Sequence, residues 1–315
     1  MLRLNLAGRC FAAMVACFAA GQPISAQPQA TLQNAVTRAM AGRRGAAVVL
    51  DVHSGRTLAV YHLDVAARRA AYPGSTIKTF TLMTLLETGK VNRNTTLVCA
   101  RRLSIGGHKL DCTHPQTSQP LDPSAALAYS CNSYFTSVAT RLTPAQLHDS
   151  FVRDGFSSLT ALAPEEVAGN VALATSPEEL QLQAIGEWGI RLTPLELLRA
   201  YRNVALLQTN HQHELAPLFD GLQQSVSYGM GRMAQPLMFI NAAGKTGTAP
   251  AEEGSWTHAW FAGYAPAENP EIVLVVFLEK GHGGTDAAGI AGEIFNAFAD
   301  SHHSRVGQRA AGAQP

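Results

Sequence analysis

The chain contains 315 residues, of which 46% are hydrophobic and 15% are charged, and its formal net charge is +1. This composition supports a large buried core and excludes an intrinsically disordered chain. A net charge so close to zero also argues against binding to nucleic acid, which requires a concentration of basic residues.

The N-terminal segment, residues 1–26, has the pattern of a secretory signal peptide. Two arginines accompany an apolar run from Cys10 to Ala20 that is too short to span a bilayer. Ser25 and Ala26 then supply the small residues that suit cleavage. We therefore expect a secreted protein, with an uncleaved membrane anchor as the alternative.

The pattern of apolar residues predicts strands near both ends of the chain. Gly45 to Val52 and Thr57 to His62 are rich in β-forming residues and flank a Ser-Gly turn, which indicates a hairpin. Further strand-like runs with short connections follow between residues 244 and 278 and favour antiparallel pairing. Short helical patterns, interrupted by prolines and glycines, fill the region between the two ends.

These elements predict an α/β (α+β) fold. Residues of about 27–75 and 240–300 would form an antiparallel β-sheet flanked by helices, and a mostly helical insertion subdomain would occupy about 76–239. Together they make one domain, residues 27–300, and the polar segment 301–315 is expected to be a flexible tail. A cleft is expected where the insertion meets the sheet, since ligand sites favour such junctions.

One predicted helix begins at Ser75, after a Pro-Gly pair, and carries Lys78 three residues later. Residues three apart share a helix face, so the amine of Lys78 would reach the hydroxyl of Ser75. A serine becomes a nucleophile when a base takes its proton, and a desolvated lysine with a lowered pKa is such a base. The motif is weak by itself, because an N-cap serine followed by an exposed lysine has the same spacing.

Three cysteines, Cys99, Cys112 and Cys131, follow the predicted signal segment. Cys99 and Cys112 lie in one loop-rich segment and are the predicted disulfide, with three reduced thiols as the alternative. Cys131 would then be a buried free thiol. No metal site is predicted, because the spacing lacks paired Cys-x-x-Cys motifs and both His108 and His114 are interpreted as loop residues.

Two further motifs follow Ser75-x-x-Lys78 along the chain: Ser130-Cys131-Asn132 in the helical region and Lys245-Thr246-Gly247 on a C-terminal strand. In this order the three motifs match the signature of penicillin-binding proteins and class A β-lactamases. From about Ala46 to Phe298 the chain resembles the transpeptidase domain of class B penicillin-binding proteins. The resemblance is carried by Tyr72-Pro73-Gly74-Ser75-Thr76-Ile77-Lys78, Ser130-Cys131-Asn132-Ser133-Tyr134-Phe135, Ile190 to Tyr201, Lys245-Thr246-Gly247-Thr248-Ala249 and Trp260-Phe261-Ala262-Gly263-Tyr264-Ala265-Pro266.

The resemblance implies a catalytic role for five residues. Ser75 would be the acylated nucleophile and Lys78 its general base. Ser130 would relay a proton toward the leaving amine, near Lys245. Asn132 would hydrogen-bond the backbone of the substrate and hold Lys78 in place. No cofactor is implied.

The same resemblance implies that the C-terminal strand binds the substrate. Lys245 and Thr246 would face the terminal carboxylate of the donor peptide. Gly247 would let the substrate backbone approach closely, since it has no side chain. The N–H groups of Thr248 and Ser75 would form the oxyanion hole.

The resemblance further implies a penicillin-binding serine D,D-transpeptidase in the periplasm of a bacterium or secreted from it. Its substrates would be the D-Ala-D-Ala stem peptides of peptidoglycan, β-lactam antibiotics would be covalent inhibitors, and cell-wall synthesis proteins are candidate partners. Class B transpeptidases usually carry an anchor and a long non-catalytic domain, whereas little sequence separates the predicted cleavage site from the first strand here. We therefore expect a catalytic domain alone.

Three other activities remain open at this point: a D,D-carboxypeptidase, a serine β-lactamase, and a sensor that binds β-lactams or peptidoglycan without turnover. Asn132 argues against class D β-lactamases and the sensors, which typically have Ser-x-Val in this motif. Glu165 and Glu166 are the nearest candidates for a deacylating glutamate in the class A manner, but the sequence does not place them near Ser75.

Overall fold

The structure is a computed structural model that describes residues 26–210 and 212–312. Apart from Ala26, the predicted signal segment lies outside the described residues. None of the described helices has both the length and the apolar character that a membrane span requires.

A five-stranded antiparallel sheet, built from both ends of the chain, forms the centre of the fold and confirms the predicted fold class. Two pairs of short strands lie outside this sheet. The strands are β1 (Gly45–Asp51), β2 (Thr57–Tyr61), β3 (Ser104–Ile105), β4 (His108–Lys109), β5 (Asn170–Val171), β6 (Ile190–Arg191), β7 (Ala243–Pro250), β8 (Thr257–Ala265) and β9 (Ile272–Leu278). The order in the main sheet is β2-β1-β9-β8-β7, so β7 lies at one edge.

Helices cover both faces of the sheet. Most of them lie between β2 and β7 in the chain and make up the predicted helical insertion, whereas the first and last helices pack together on the opposite face. The helices are α1 (Ala26–Ala39), α2 (Leu63–Arg68), α3 (Lys78–Glu87), α4 (Pro123–Ala128), α5 (Asn132–Ala139), α6 (Pro144–Arg153), α7 (Pro177–Gln183), α8 (Pro194–Thr209), α9 (Ala216–Ser227) and α10 (Ala288–Gly312).

Strand β9 shows how the sheet joins two hydrophobic cores. Successive side chains of a strand point to opposite faces. Val275 and Phe277 accordingly pack in the core that contains the helical insertion, and Leu274 and Val276 pack in the core beneath α1 and α10. Burial on both faces therefore holds the central strands rigidly and provides a firm support for the edge strand β7.

Two helices differ from the expected bounds. The helix expected to begin at Ser75 begins as a 3-10 turn, Gly74–Ile77, and α3 starts only at Lys78. The last helix, α10, continues to Gly312 and so includes most of the segment 301–315 that was expected to be a tail. Residues 301–312 contain no proline, and two alanines, two arginines and one glutamine among them are good helix formers.

Candidate active site

The turn that carries Ser75 is held in place by buried hydrogen bonds. The hydroxyl of Thr76 donates to the carbonyl of Pro73 over 2.9 Å, and the hydroxyl of Tyr201 on α8 donates to the carbonyl of Thr76 over 3.2 Å. Ser75 itself is half-buried, and its hydroxyl forms no hydrogen bond within the described part of the chain. The turn thus fixes the backbone of Ser75 and leaves its hydroxyl free to react.

The Ser75 turn and the edge strand β7 meet backbone to backbone. Gly74 has a φ of +51°, and a Cβ atom there would lie 2.6 Å from the carbonyl oxygen of Thr248. A Cβ atom on Gly247 would lie 2.3 Å from the carbonyl oxygen of Pro73. Both positions therefore need glycine, which is the only residue that permits this approach.

Lys78 is completely buried at the start of α3, and its amine is directed at the Ser130-Cys131-Asn132 motif. Its Nζ donates to the carbonyl of Ser130 over 2.9 Å, to the hydroxyl of Ser130 over 3.3 Å, and to Oδ1 of Asn132. Burial lowers the pKa of Lys78 from 10.5 to about 8. A lysine with this pKa has a substantial neutral fraction near physiological pH and can accept a proton.

Ser130 joins the two buried lysines of the site. Lys245 on β7 is also completely buried, and its Nζ donates to the Ser130 hydroxyl over 2.9 Å and to the carbonyl of Thr246 over 3.0 Å. Desolvation and the nearby charge of Lys78 hold the pKa of Lys245 well below its usual value. Because both amines contact one hydroxyl, a proton can pass between them through Ser130.

The Ser130-Cys131-Asn132 motif lies at a bend between α4 and α5. Ser130 has a φ of +54°, an uncommon value for a residue with a side chain and one that is found where function demands a particular direction. Asn132 is the first residue of α5, and its Nδ2 donates to the carbonyl of Leu110 over 3.0 Å. The amide of Asn132 is thus held between Lys78 on one side and the loop before α4 on the other.

The three predicted substrate-binding residues lie in sequence on β7. Thr246 is buried next to Lys245, and Thr248 is half-buried, with its hydroxyl accepting a hydrogen bond from the N–H of Gly283 over 2.9 Å. Because β7 pairs only with β8 among the described strands, its other edge faces the Ser75 turn. An extended peptide can pair with such an edge by backbone hydrogen bonds.

The structure thus brings all the predicted catalytic residues into one site. Direct hydrogen bonds link four of them, Lys78, Ser130, Asn132 and Lys245, and Ser75 lies one turn before Lys78. The Ser75 turn, the α4–α5 bend and strand β7 therefore meet at this site.

The acidic residues considered from the sequence are engaged elsewhere. Glu165 pairs with Arg68 at the surface over 3.2 Å. The carboxylate of Glu166 accepts hydrogen bonds from Thr160, Leu162 and Ala163. The sequence reasoning missed Glu187, which follows α7. Burial raises the pKa of Glu187, while the positive charges of Lys78 and His108 oppose the rise.

The predicted disulfide between Cys99 and Cys112 is not formed. All three described cysteines are free thiols. Cys99 lies 3.5 Å from Nε2 of His114, and Cys112 lies 3.8 Å from Cys131. Together with His114, the three cysteines supply four groups that can bind a metal ion, and these groups lie within 4.8 Å of one another. Their spacing along the chain matches no metal motif.

Comparison with known proteins gives one consistent result. A model of the penicillin-binding protein transpeptidase domain matches residues 45–300. Peptidoglycan D,D-transpeptidase MrdA of Acinetobacter baumannii is 25% identical, over 84% of this chain and 52% of its own. Peptidoglycan D,D-transpeptidase FtsI of Buchnera aphidicola is 24% identical, over 84% of this chain and 54% of its own. The chain spans about half the length of these curated relatives.

A solved structure shows the same fold. The crystal structure of Pseudomonas aeruginosa PBP2 in complex with WCK 5153 superposes with a TM-score of 0.75, at 23% identity, over 85% of this chain and 76% of that one. The family match covers most of the chain and includes every residue of the site described above. The chain therefore belongs to the penicillin-binding protein transpeptidase family.

Proposed function

We propose that this protein is a serine D,D-transpeptidase that acts on the D-Ala-D-Ala stem peptides of peptidoglycan through an acyl-enzyme on Ser75. The observation that carries the proposal is the contact of two buried lysines, Lys78 and Lys245, with one hydroxyl, that of Ser130. Acyl transfer needs a base for the nucleophile and a proton source for the leaving amine, and this arrangement supplies both.

The first step is the attack of Ser75 on the carbonyl carbon of the penultimate D-alanine. The Ser75 hydroxyl loses its proton to the neutral amine of Lys78, and the new C–O bond places negative charge on the carbonyl oxygen. The N–H groups of Ser75 and Thr248 stabilise this oxyanion. These two N–H groups come close together because Gly74 and Gly247 let the backbone of the Ser75 turn approach the backbone of β7.

The second step breaks the peptide bond to the terminal D-alanine. The leaving amine takes a proton from the Ser130 hydroxyl, and Lys78 reprotonates Ser130 with the proton that it took from Ser75. The terminal carboxylate is held by Lys245 and Thr246, which supply a cation and a hydroxyl donor. In the third step an amine of a neighbouring stem peptide attacks the ester carbonyl. The amine gives up a proton to Lys78 through Ser130, the bond from the carbonyl carbon to the Ser75 oxygen breaks, and Lys78 returns the proton to that oxygen.

We propose that the protein acts in the periplasm or outside a bacterial cell, as the signal-like pattern of residues 1–26 favours. β-Lactams would acylate Ser75 because they present a strained amide in place of the D-Ala-D-Ala bond. Cell-wall synthesis proteins are the proposed partners, since a transpeptidase cross-links the peptidoglycan strands that such proteins make.

The experiment that tests this proposal uses a D-Ala-D-Ala pentapeptide with and without an amine acceptor. We expect release of D-alanine and a cross-linked product when the acceptor is present, and neither product with Ser75→Ala. Release of D-alanine without cross-linking would identify a D,D-carboxypeptidase. Rapid hydrolysis of β-lactams would identify a β-lactamase, and a lasting acyl adduct without peptide turnover would identify a sensor.

The acylation rate is expected to rise with pH between about 6 and 8 and to level off above, because Lys78 acts as a base only when it is neutral. Its pKa is lowered to about 8, so the neutral fraction grows roughly tenfold per pH unit below that value. Lys245 is coupled to Lys78, so the profile reports the titration of the pair. The rate of labelling by a fluorescent penicillin measures this effect, and a flat profile over this range would contradict a lysine base.

A further inference from the structure

Next to the catalytic motif, the cluster Cys99, Cys112, His114 and Cys131 has the donor set of a structural zinc site. Three sulfurs and one imidazole nitrogen lie within 4.8 Å of one another. Cys112, His114 and Cys131 are buried, and Cys99 is half-buried, so the cluster is largely shielded from water. Structural zinc sites are closed in this way and often contain three cysteines and one histidine.

Two distances within the cluster match those around a tetrahedral ion, and all four donor atoms lie within 4.8 Å of one another. Zn–S bonds of about 2.3 Å and Zn–N bonds of about 2.0–2.1 Å, at tetrahedral angles, imply about 3.8 Å between two sulfurs and about 3.6 Å between a sulfur and the nitrogen. The sulfurs of Cys112 and Cys131 are 3.8 Å apart, and the sulfur of Cys99 is 3.5 Å from Nε2 of His114. A disulfide would instead require about 2.0 Å between sulfurs.

The orientation of His114 suits a ligand. Its Nδ1 lies 2.7 Å from the carbonyl oxygen of Pro115, and because a carbonyl can only accept, Nδ1 must carry the proton. With the proton on Nδ1, Nε2 can direct a lone pair toward the sulfur of Cys99. Histidines that bind metals usually donate their other N–H to a carbonyl or carboxylate in this manner.

Each sulfur also accepts a hydrogen bond from a backbone N–H group. Arg101 donates to Cys99, Ser133 donates to Cys112, and Tyr134 donates to Cys131, each over 3.4 Å. Hydrogen bonds of this kind favour the thiolate form that binds metals. The last two donors lie in the first turn of α5, where the helix dipole also favours negative charge.

We propose that Cys99, Cys112, His114 and Cys131 bind one zinc ion, which fastens the loop before α4 to the start of α5. Two other contacts of this loop reach the same helix start: Leu110 accepts from Asn132, and the N–H of Ala100 donates to the hydroxyl of Ser133 over 3.0 Å. The ion would therefore lie directly behind the catalytic bend, because Cys131 is flanked by Ser130 and Asn132. It would support the catalytic residues from outside the reaction site.

The test is the metal content of the full chain, purified under conditions that keep thiols reduced. We expect one equivalent of zinc, and after its removal by a chelator we expect Co²⁺ to bind with the intense absorption of a tetrahedral thiolate complex. The unfolding temperature should fall by at least about 5 °C on chelation and recover with Zn²⁺ but not with Mg²⁺. These readouts do not depend on transpeptidase activity.

Two variants and a control assign the ligands. Cys99→Ser changes only the half-buried sulfur and His114→Gln keeps a polar side chain, and each should weaken Zn²⁺ binding at least about 10-fold. His108→Ala, which alters an exposed histidine of the same loop outside the cluster, should bind Zn²⁺ as the unaltered chain does. Absence of zinc together with failure of the reduced protein to bind Co²⁺, or a Cys112–Cys131 disulfide detected by intact mass, would overturn the proposal.

Discussion

Replacing Lys78 with alanine is expected to lower the rate of Ser75 acylation by about 10³–10⁴-fold while the protein remains folded. The reason is the burial of Lys78 together with its hydrogen bonds to Ser130 and Asn132, which place a partly neutral amine one turn from the nucleophile. Without it, the Ser130 hydroxyl keeps only the contact with Lys245, which lies on β7 and not one turn from Ser75. Labelling by a fluorescent penicillin, followed over time, measures the rate.

Two further variants separate chemistry from packing. Lys78→Met fills nearly the same volume without a base, so it should be as slow as Lys78→Ala even if alanine disturbs the core. Lys90→Ala removes an exposed lysine after the same helix and should label at the normal rate. Normal labelling of the folded Lys78 variants would refute the assignment of Lys78 as the base.

Replacing Gly247 with alanine is expected to destabilise the protein by about 2–3 kcal/mol and to slow acylation about 100-fold or more. The added Cβ would lie 2.3 Å from the carbonyl oxygen of Pro73, and neither backbone can move away easily, since the sheet holds β7 and buried hydrogen bonds hold the turn. Relief of the clash would separate Ser75 from the strand that binds the substrate. Thermal unfolding and the labelling rate measure the two effects.

Gly289→Ala is the matched control for this variant. Gly289 lies in α10, and a Cβ atom there would have no neighbour within 4 Å. Because alanine favours a helix, this change should leave stability the same or raise it by up to about 1 kcal/mol, with normal labelling. If Gly247→Ala behaved like Gly289→Ala, the close contact between the turn and β7 would not be essential to the site.

Much of the fold and the site could be predicted from local patterns. The strands near both ends of the chain show apolar patterns that are visible within a few consecutive residues. Thr193 and Pro194 mark the start of α8, because Thr193 caps the helix and Pro194 is its first residue. The three motifs are short, and the residues that flank each of them in the sequence are recognisable. Their order along the chain therefore allowed Ser75, Lys78, Ser130, Asn132 and Lys245 to be assigned to one site before their contacts were known.

The remaining features depend on contacts between distant segments, which local patterns do not reveal. The four residues of the cysteine–histidine cluster come from a loop and a helix start, so their spacing resembles no metal motif even though their donor atoms converge. The charge of Lys78 reaches Glu187 because the segment after α7 folds back toward the Ser75 turn, where a Cβ atom on Gly186 would lie 2.2 Å from the carbonyl oxygen of Gly74. The 3-10 turn at Ser75 likewise follows from the packing of Gly74 and Gly247 against the opposite backbones, not from helix propensity.

The most direct test of the proposed mechanism is to locate the acyl group. The protein is incubated with a penicillin, digested, and mapped by mass spectrometry, with Ser75→Ala treated in parallel. The mechanism predicts a single adduct on the peptide that contains Ser75 and none on the variant. An adduct on another residue, or equal modification of Ser75→Ala, would contradict it.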